Sequence, residues 1–221
     1  RYTADEIVYC LDLADADVLV FGPEFATRMQ EAAPRVPRLQ AMYFIGDEED
    51  RPAFSQNFEE RLVHYSADDP QIELRESDDA AIYFSSGTTG FPKAILHNHE
   101  SLMAAAETEQ HHHGQTRSDV FLCIPPLYHT GAKMHWFGSL LSGSRAVLLR
   151  GVRPDWIMRT VSEEGCTIVW LLVPWAQDIL DALDRKDLDP REYRLSQWRL
   201  MHIGAQPVPP SLIKRWKGYF P

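Results

Sequence analysis

Apolar runs typical of buried strands alternate along this chain with amphipathic runs typical of helices. The helix predicted over residues 4–13 carries Ile7, Val8 and Leu11 on one face, and the apolar run 18–21 that follows predicts a strand. Further along, the pattern predicts helix 24–33, strand 40–45, helix 98–110, strand 120–124, helix 134–141, strand 146–149, helix 154–164, strand 167–173, helix 174–183, strand 198–203 and a helix that begins at 210. This alternation predicts an α/β fold of layered, mostly parallel sheets with flanking helices.

The acidic, irregular stretch 46–79 interrupts the alternation and predicts a connection between two parts of the chain. Residues 1–79 would form an N-terminal α/β segment that ends in this acidic loop. Residues 80–221 would form a second α/β segment. We find no internal repeat in either part.

A run rich in glycine and hydroxyl side chains lies between two apolar, strand-like runs. Backbone N–H groups in such a turn bind anions, hydroxyl groups add donors, and a lysine adds a mobile positive charge. The run reads Ser85-Ser86-Gly87-Thr88-Thr89-Gly90-Phe91-Pro92-Lys93-Ala94. It predicts a phosphate-binding loop, although its composition is equally typical of an ordinary hairpin turn.

The order of residues in this run differs from the Walker loop of NTPases, which has a Ser or Thr directly after its Gly-Lys pair. Here Pro92 precedes Lys93 and Ala94 follows it. The longer string from Tyr83 to His97 resembles the phosphate loop of the adenylate-forming enzymes, which include acyl-CoA synthetases, luciferases and the adenylation domains of peptide synthetases. It departs from that family at Ala94, where the family usually has Gly, but a small residue is kept.

Other segments resemble the same family in the same order. Residues 2–20 resemble the helix and strand that precede its phosphate loop, and 124–131 with 140–143 resemble the segment that lines its acyl pocket. Residues 203–207 resemble the turn that packs on adenine. The resemblance implies a partial N-terminal domain of an acyl-CoA synthetase-like fold, in which 80–221 holds the phosphate loop and the acyl- and adenine-binding segment.

The resemblance also implies particular site residues. Catalytic roles would belong to Lys93, which would offset phosphate charge, and to His129, which would lie beside the carboxylate and the adenylate. The residues implied to bind ATP are Ser85, Ser86, Gly87, Thr88, Thr89, Gly90, Lys93, Gly204, Ala205, Gln206 and Pro207. Those implied to bind the acid are His129, Thr130, Gly131 and Trp136. From the residues alone, a surface lysine, a structural histidine, a core tryptophan and a plain strand-to-helix turn stay open as alternatives.

The implied reaction is a two-step ligation that uses ATP, Mg²⁺ and coenzyme A as co-substrate. A carboxylate would attack the α-phosphorus of ATP, and a thiol would then displace AMP. The family's segments that hold Mg²⁺ and the ribose, and the lysine of its C-terminal domain, do not occur in this sequence. We therefore expect a fragment without that domain, which is inactive by itself. A non-catalytic nucleotide or acyl binder and a structural module stay open as alternatives.

The acid is predicted to be fatty or aromatic. Amino-acid-activating relatives use an Asp to bind the α-ammonium group, because a buried cation without a partner is costly. The matching stretch 127–138 has no acidic residue and carries Lys133 instead. Its apolar side chains Leu127, Met134, Trp136 and Phe137 suit an apolar acid.

The composition indicates which classes of partner and which cellular compartment suit this chain. The net charge of −10, with no basic stripe, argues against nucleic acid as a partner. No apolar run approaches the roughly 20 residues of a membrane-spanning helix. The three scattered cysteines, Cys10, Cys123 and Cys166, fit free thiols in a cytoplasmic protein. Composition leaves the oligomeric state open.

Two further clusters are predicted to be solvated surface. Consecutive side chains of His111-His112-His113 cannot converge on one ion, so the run predicts a turn before Gly114. The acidic residues 47–50 predict a solvated loop. No metal ligand is therefore predicted in this chain.

Overall fold

A computed structural model describes residues 2–85 and 90–220. The chain forms two compact units, Arg1–His99 and Glu100–Pro221. This division differs from the boundary drawn at 79/80 from the sequence, because the hairpin that begins at Asp79 belongs to the first unit.

The first unit contains a small parallel sheet and an antiparallel hairpin. Its elements are α1 (Ala4–Leu13), β1 (Val18–Phe21), α2 (Ala26–Ala32), β2 (Ala41–Phe44), β3 (Gln56–Asn57), α3 (Phe58–Leu62), β4 (Asp79–Ser85) and β5 (Lys93–Asn98). The parallel sheet has the order β1-β2-β3, and β4 pairs with β5. The helix predicted over 24–33 is shorter, because turns of 3₁₀ helix at Pro23–Phe25 and Ala33–Arg35 flank α2.

Local signals in the sequence account for the helix that opens this unit. The Thr3 side chain accepts a hydrogen bond from the Glu6 backbone N–H, and the Glu6 carboxylate accepts one from the Thr3 backbone N–H. This capping box starts α1 where the apolar period begins. Ile7 of α1 then packs with Phe21, Met29, Ala32 and Phe44 in the core of the unit.

The remaining elements surround a four-stranded parallel sheet. They are α4 (His99–His113), β6 (Val120–Cys123), α5 (Thr130–Ser142), β7 (Arg145–Leu148), α6 (Pro154–Glu164), β8 (Ile168–Leu172), α7 (Val173–Asp184), β9 (Leu200–Gly204) and α8 (Pro210–Tyr219). The strand order is β7-β6-β8-β9, and every pairing is parallel. The predicted α/β fold with mostly parallel sheets is therefore confirmed.

Successive side chains of a strand point to opposite faces of a sheet, and in this sheet both sets include apolar residues. Helices cover both faces and bury these residues. On one face, Leu122 and Val169 pack in a large apolar core with Ile157 of α6 and Ile179 of α7. On the other face, a smaller apolar cluster joins sheet residues to α5 and contains Phe121, Cys123, Ala132, Ile168 and Trp170. The smaller cluster contains Trp170, which lies beside Gly131 and Gly204.

One buried carboxylate joins the starts of three strands. Asp119 precedes β6 and accepts hydrogen bonds from Thr167, which precedes β8, and from Arg199, which precedes β9. The backbone N–H of Thr116 donates a further bond to it. Arg199, Thr167 and Thr116 hold the pKa of Asp119 well below its usual range.

The described residues contain no helix long and apolar enough to cross a membrane. Cys10, Cys123 and Cys166 are buried and carry free thiols. Burial raises the pKa of each thiol to about 11, so the thiolate form is rare at neutral pH.

Candidate functional site

The predicted phosphate loop connects β4 to β5 in the first unit. Ser85 and Lys93 lie opposite each other in the hairpin register, and both side chains are exposed. Gly90 has a φ of +115°, a conformation that side-chain-bearing residues rarely adopt. Ser86, Gly87, Thr88 and Thr89 lie outside the described residues. The hairpin fits both the phosphate loop and the ordinary turn that the composition allows.

The other two predicted segments leave one edge of the four-stranded sheet. The His129 segment follows β6, and the Gly204 segment ends β9, with β8 between the two strands. The carboxyl ends of parallel strands are where α/β sheets bind ligands. The topology thus brings both sequence segments to the edge where a site is expected.

His129 directly precedes α5 and lies at the surface. It is the N-cap residue of the helix, but its side chain makes no capping hydrogen bond. Its exposed ring lies 4.6 Å from the Tyr128 ring, centroid to centroid. Thr130 is the first residue of the helix, and its side chain lies outside the described part of the chain.

Trp170 of β8 contacts both predicted segments. A Cβ placed on Gly131 would lie 2.6 Å from Cη2 of Trp170, which is closer than van der Waals contact permits. A Cβ on Gly204 would lie 3.7 Å from Trp170 Nε1 and 3.2 Å from His202 Nε2. Gly131 therefore lies against the benzene ring of this indole and Gly204 lies near its nitrogen, so the fold brings these two predicted residues together.

The turn after β9 contains a strained residue. Ala205 has a φ of +66°, which is unfavourable for a residue with a Cβ. Ala205, Gln206 and Pro207 are exposed, which leaves their surface available to a ligand.

Trp136 lies further along α5. It is half-buried, and its ring stacks on that of Phe137 with centroids 5.4 Å apart. Neither ring belongs to the apolar core clusters of the described residues. The role of Trp136 in binding the acid stays a prediction.

A cluster of three histidines lies behind Trp170, on the same face of the sheet. The rings of His113, His135 and His202 have centroids 5.1–5.6 Å apart. Glu109 reaches into the cluster, with Oε2 3.7 Å from His113 Nε2 and 3.6 Å from His135 Nδ1. The cluster combines residues from α4, α5 and β9.

The prediction that His111-His112-His113 forms a solvated turn is wrong, because the whole run is helical and its third residue is buried. α4 continues to His113, three residues beyond the predicted end. Because side chains on a helix turn by about 100° per residue, His111 and His112 face solvent while His113 packs on Phe121.

Burial keeps two of these imidazoles neutral. Burial, with smaller contributions from the neighbouring His202 and Arg199, lowers the pKa of His113 to about 4. It lowers the pKa of His135 to about 3, with added repulsion from His113 and His202. Neutral imidazole is the form that accepts hydrogen bonds and binds metal ions.

Sequence reasoning missed His135, Trp170 and His202 as site residues. The i, i+4 spacing of Glu109 and His113 is the one local signal in the sequence, since residues four apart share a helix face. The convergence of β8, β9 and α5 on that face depends on the tertiary fold.

Comparison with known proteins identifies the family of this chain. The AMP-binding enzyme family matches residues 1–221. A medium/long-chain-fatty-acid–CoA/3-oxocholest-4-en-26-oate–CoA ligase of Mycobacterium marinum is 26% identical, over 97% of this chain and 42% of its own length. Triostin synthetase I of Streptomyces triostinicus is 29% identical, over 84% of this chain and 33% of its own length.

A solved structure supports the same fold. The anthranilate CoA ligase AuaEII, crystallised with anthranoyl-AMP, superposes with a TM-score of 0.86 at 22% identity, over 99% of this chain and 42% of its own. The chain thus spans less than half the length of these similar proteins.

Proposed function

Because this chain belongs to the AMP-binding enzyme family, we propose that the protein containing it is an acid–thiol ligase that uses ATP. The family match over residues 1–221 supports this proposal most directly. A carboxylate oxygen of the substrate bonds to the α-phosphorus of ATP, and the bond from that phosphorus to the bridging oxygen breaks, which releases pyrophosphate. The thiol sulfur of coenzyme A then bonds to the acyl carbon, and AMP leaves.

The first step requires charge compensation and alignment. A carboxylic acid is ionised at neutral pH, so no base has to deprotonate it. Lys93 and the donors of the loop that starts at Ser85 would bind the β- and γ-phosphates. The exposed position of Lys93 at the end of that loop supports this role. His129, exposed at the start of α5, would lie beside the reacting carboxylate.

The adenine is proposed to bind at the turn 204–207, and the acid at the start of α5. The shared contact of Gly131 and Gly204 with Trp170 supports neighbouring sites for the two groups. No residue of this chain is assigned to Mg²⁺, whose ligands remain a prediction for the rest of the protein. The acid is proposed to be fatty or aromatic, since residues 127–138 contain no carboxylate to bind an α-ammonium group.

Substitution of Lys93 in the full-length protein tests the assigned roles. Lys93→Ala should lower kcat/KM for ATP roughly ten- to a hundredfold, because it removes a charge-assisted contact. Lys214→Ala, which removes an exposed lysine of α8, is the matched control and should leave kcat/KM unchanged. An equal effect of the two substitutions would assign Lys93 to the surface.

A panel of acids tests the substrate class. Acyl-CoA formation should be faster with octanoate or benzoate than with phenylalanine or leucine. Faster turnover of either amino acid would refute the proposed class, whereas no turnover of any acid would favour a non-catalytic binder. The 221-residue chain by itself should release no pyrophosphate above a boiled control.

A further inference from the structure

The histidine cluster behind Trp170 has the donor types and the spacing of a metal site. Glu109, His113 and His202 each offer one ligand atom, and these atoms all lie within 4.8 Å of one another. His113 Nε2 lies 3.1 Å from His202 Nδ1 and 3.7 Å from Glu109 Oε2. Tetrahedral ligands at zinc bond lengths are about 3.3–3.6 Å apart, so these two distances are close to those around a bound ion, and the third pair of atoms lies within 4.8 Å.

The polar atoms of this cluster are incompletely satisfied. The His135 side chain is only 2% exposed, yet its Nδ1 has no hydrogen-bond partner among residues 2–85 and 90–220. This atom lies 3.6 Å from the Glu109 carboxylate. A buried polar group without a partner is costly. A cation bound by Glu109 would favour a hydrogen bond from the His135 imidazole to the Glu109 carboxylate.

The elements that carry these side chains are held in place. The Arg199 guanidinium donates hydrogen bonds to the backbone oxygens of His113 and Gly114, and it pairs with the buried Asp119. This contact fixes the end of α4 against the start of β9, the strand that carries His202. The ligand set is thus preorganised by interactions that do not involve the ligand atoms.

We propose that Glu109, His113 and His202 bind a divalent zinc ion, with His135 as the positioning group that donates a hydrogen bond to the Glu109 carboxylate. Two imidazoles and one carboxylate form a nitrogen and oxygen donor set that suits Zn²⁺. Three protein ligands leave one coordination position for water or another small ligand. The proposed ligands are none of the residues assigned above to phosphate binding, and the test of the site does not depend on ligase activity.

Zinc content tests the site in the purified 221-residue chain. After chelation and dialysis against Zn²⁺, mass spectrometry of the metal should find about one zinc per folded chain. Titration with Co²⁺ should give the visible absorption of a four-coordinate ion. Glu109→Gln, which keeps the side-chain shape, should weaken zinc binding by at least tenfold, as should His202→Ala. His135→Gln should weaken it roughly ten- to a hundredfold, the effect typical of residues that orient metal ligands.

His112→Ala is the matched control, because it removes an exposed histidine next to His113 in the same run. It should keep the full zinc content and the Co²⁺ spectrum. Zinc should raise the Tm of the unaltered chain and of His112→Ala, but not that of Glu109→Gln. The proposal is overturned if the unaltered chain retains no zinc, if His112→Ala loses as much as His202→Ala, or if folded Glu109→Gln binds zinc normally.

Discussion

At Gly131, the α5 backbone approaches Trp170 so closely that no side chain fits between them. Helix propensity alone would favour alanine at this position by about 1 kcal/mol. The indole ring opposes that preference, because it is buried and lies against His135 with ring centroids 4.8 Å apart. Whether a substitution of Gly131 stabilises or destabilises the protein therefore depends on packing against Trp170 rather than on helix propensity.

We predict that Gly131→Ala lowers the free energy of unfolding by about 1–3 kcal/mol, the usual cost of overpacking. Gly138→Ala in the same helix is the control, since its Cβ would lie at least 3.4 Å from its neighbours. That change should leave stability unchanged or raise it by up to about 1 kcal/mol. Urea denaturation measures both. Trp170→Phe should reduce the cost of Gly131→Ala, and an undiminished cost would contradict the contact.

The four-stranded sheet depends on Asp119 at the edge opposite the candidate site. This side chain is 5% exposed and accepts bonds from groups beside three strands. Because its pKa is below the ordinary value, it stabilises the fold above pH about 4. This contribution is lost as the pH falls and the native carboxylate becomes protonated.

We predict that Asp119→Asn lowers the free energy of unfolding at pH 7 by about 1.5–3 kcal/mol, the value of hydrogen bonds to a charged group. The difference from the unaltered chain should shrink as the pH falls below about 4. Asp187→Asn removes an exposed partner of Arg185 and should cost much less than Asp119→Asn, because solvent screens the pair. Urea denaturation from pH 7 to pH 3 measures the difference, and a loss independent of pH would contradict the account.

Elements with strong local signals were predicted closely. α1, β1 and α6 begin and end where the sequence pattern places them, since α1 has a capping box and Gly165 ends α6 with a φ of +65°. α5 begins four residues before its predicted start. His129 at its N-cap is not one of the residues that mark a helix start, and Gly131 weakens the helical pattern.

At the scale of the whole molecule, the sequence predicts segments better than the contacts between them. The order of loop, His129 segment and Gly204 turn was sufficient to indicate the family, and the family match over 1–221 confirms it. The contact of Gly131 with Trp170 and the convergence of three histidines arise between residues up to 89 positions apart. Such contacts depend on sheet order, which local patterns do not encode.

The central claim is that the full-length protein activates a carboxylate by bonding it to the α-phosphorus of ATP. The most direct test uses octanoate or benzoate with both carboxylate oxygens replaced by ¹⁸O, together with ATP and coenzyme A. In the proposed reaction, the attacking oxygen stays on phosphorus when the thiol displaces AMP. Mass spectrometry should therefore find one ¹⁸O atom in AMP and none in pyrophosphate. Unlabelled AMP formed along with acyl-CoA, or label in inorganic phosphate with ADP as the product, would contradict the account.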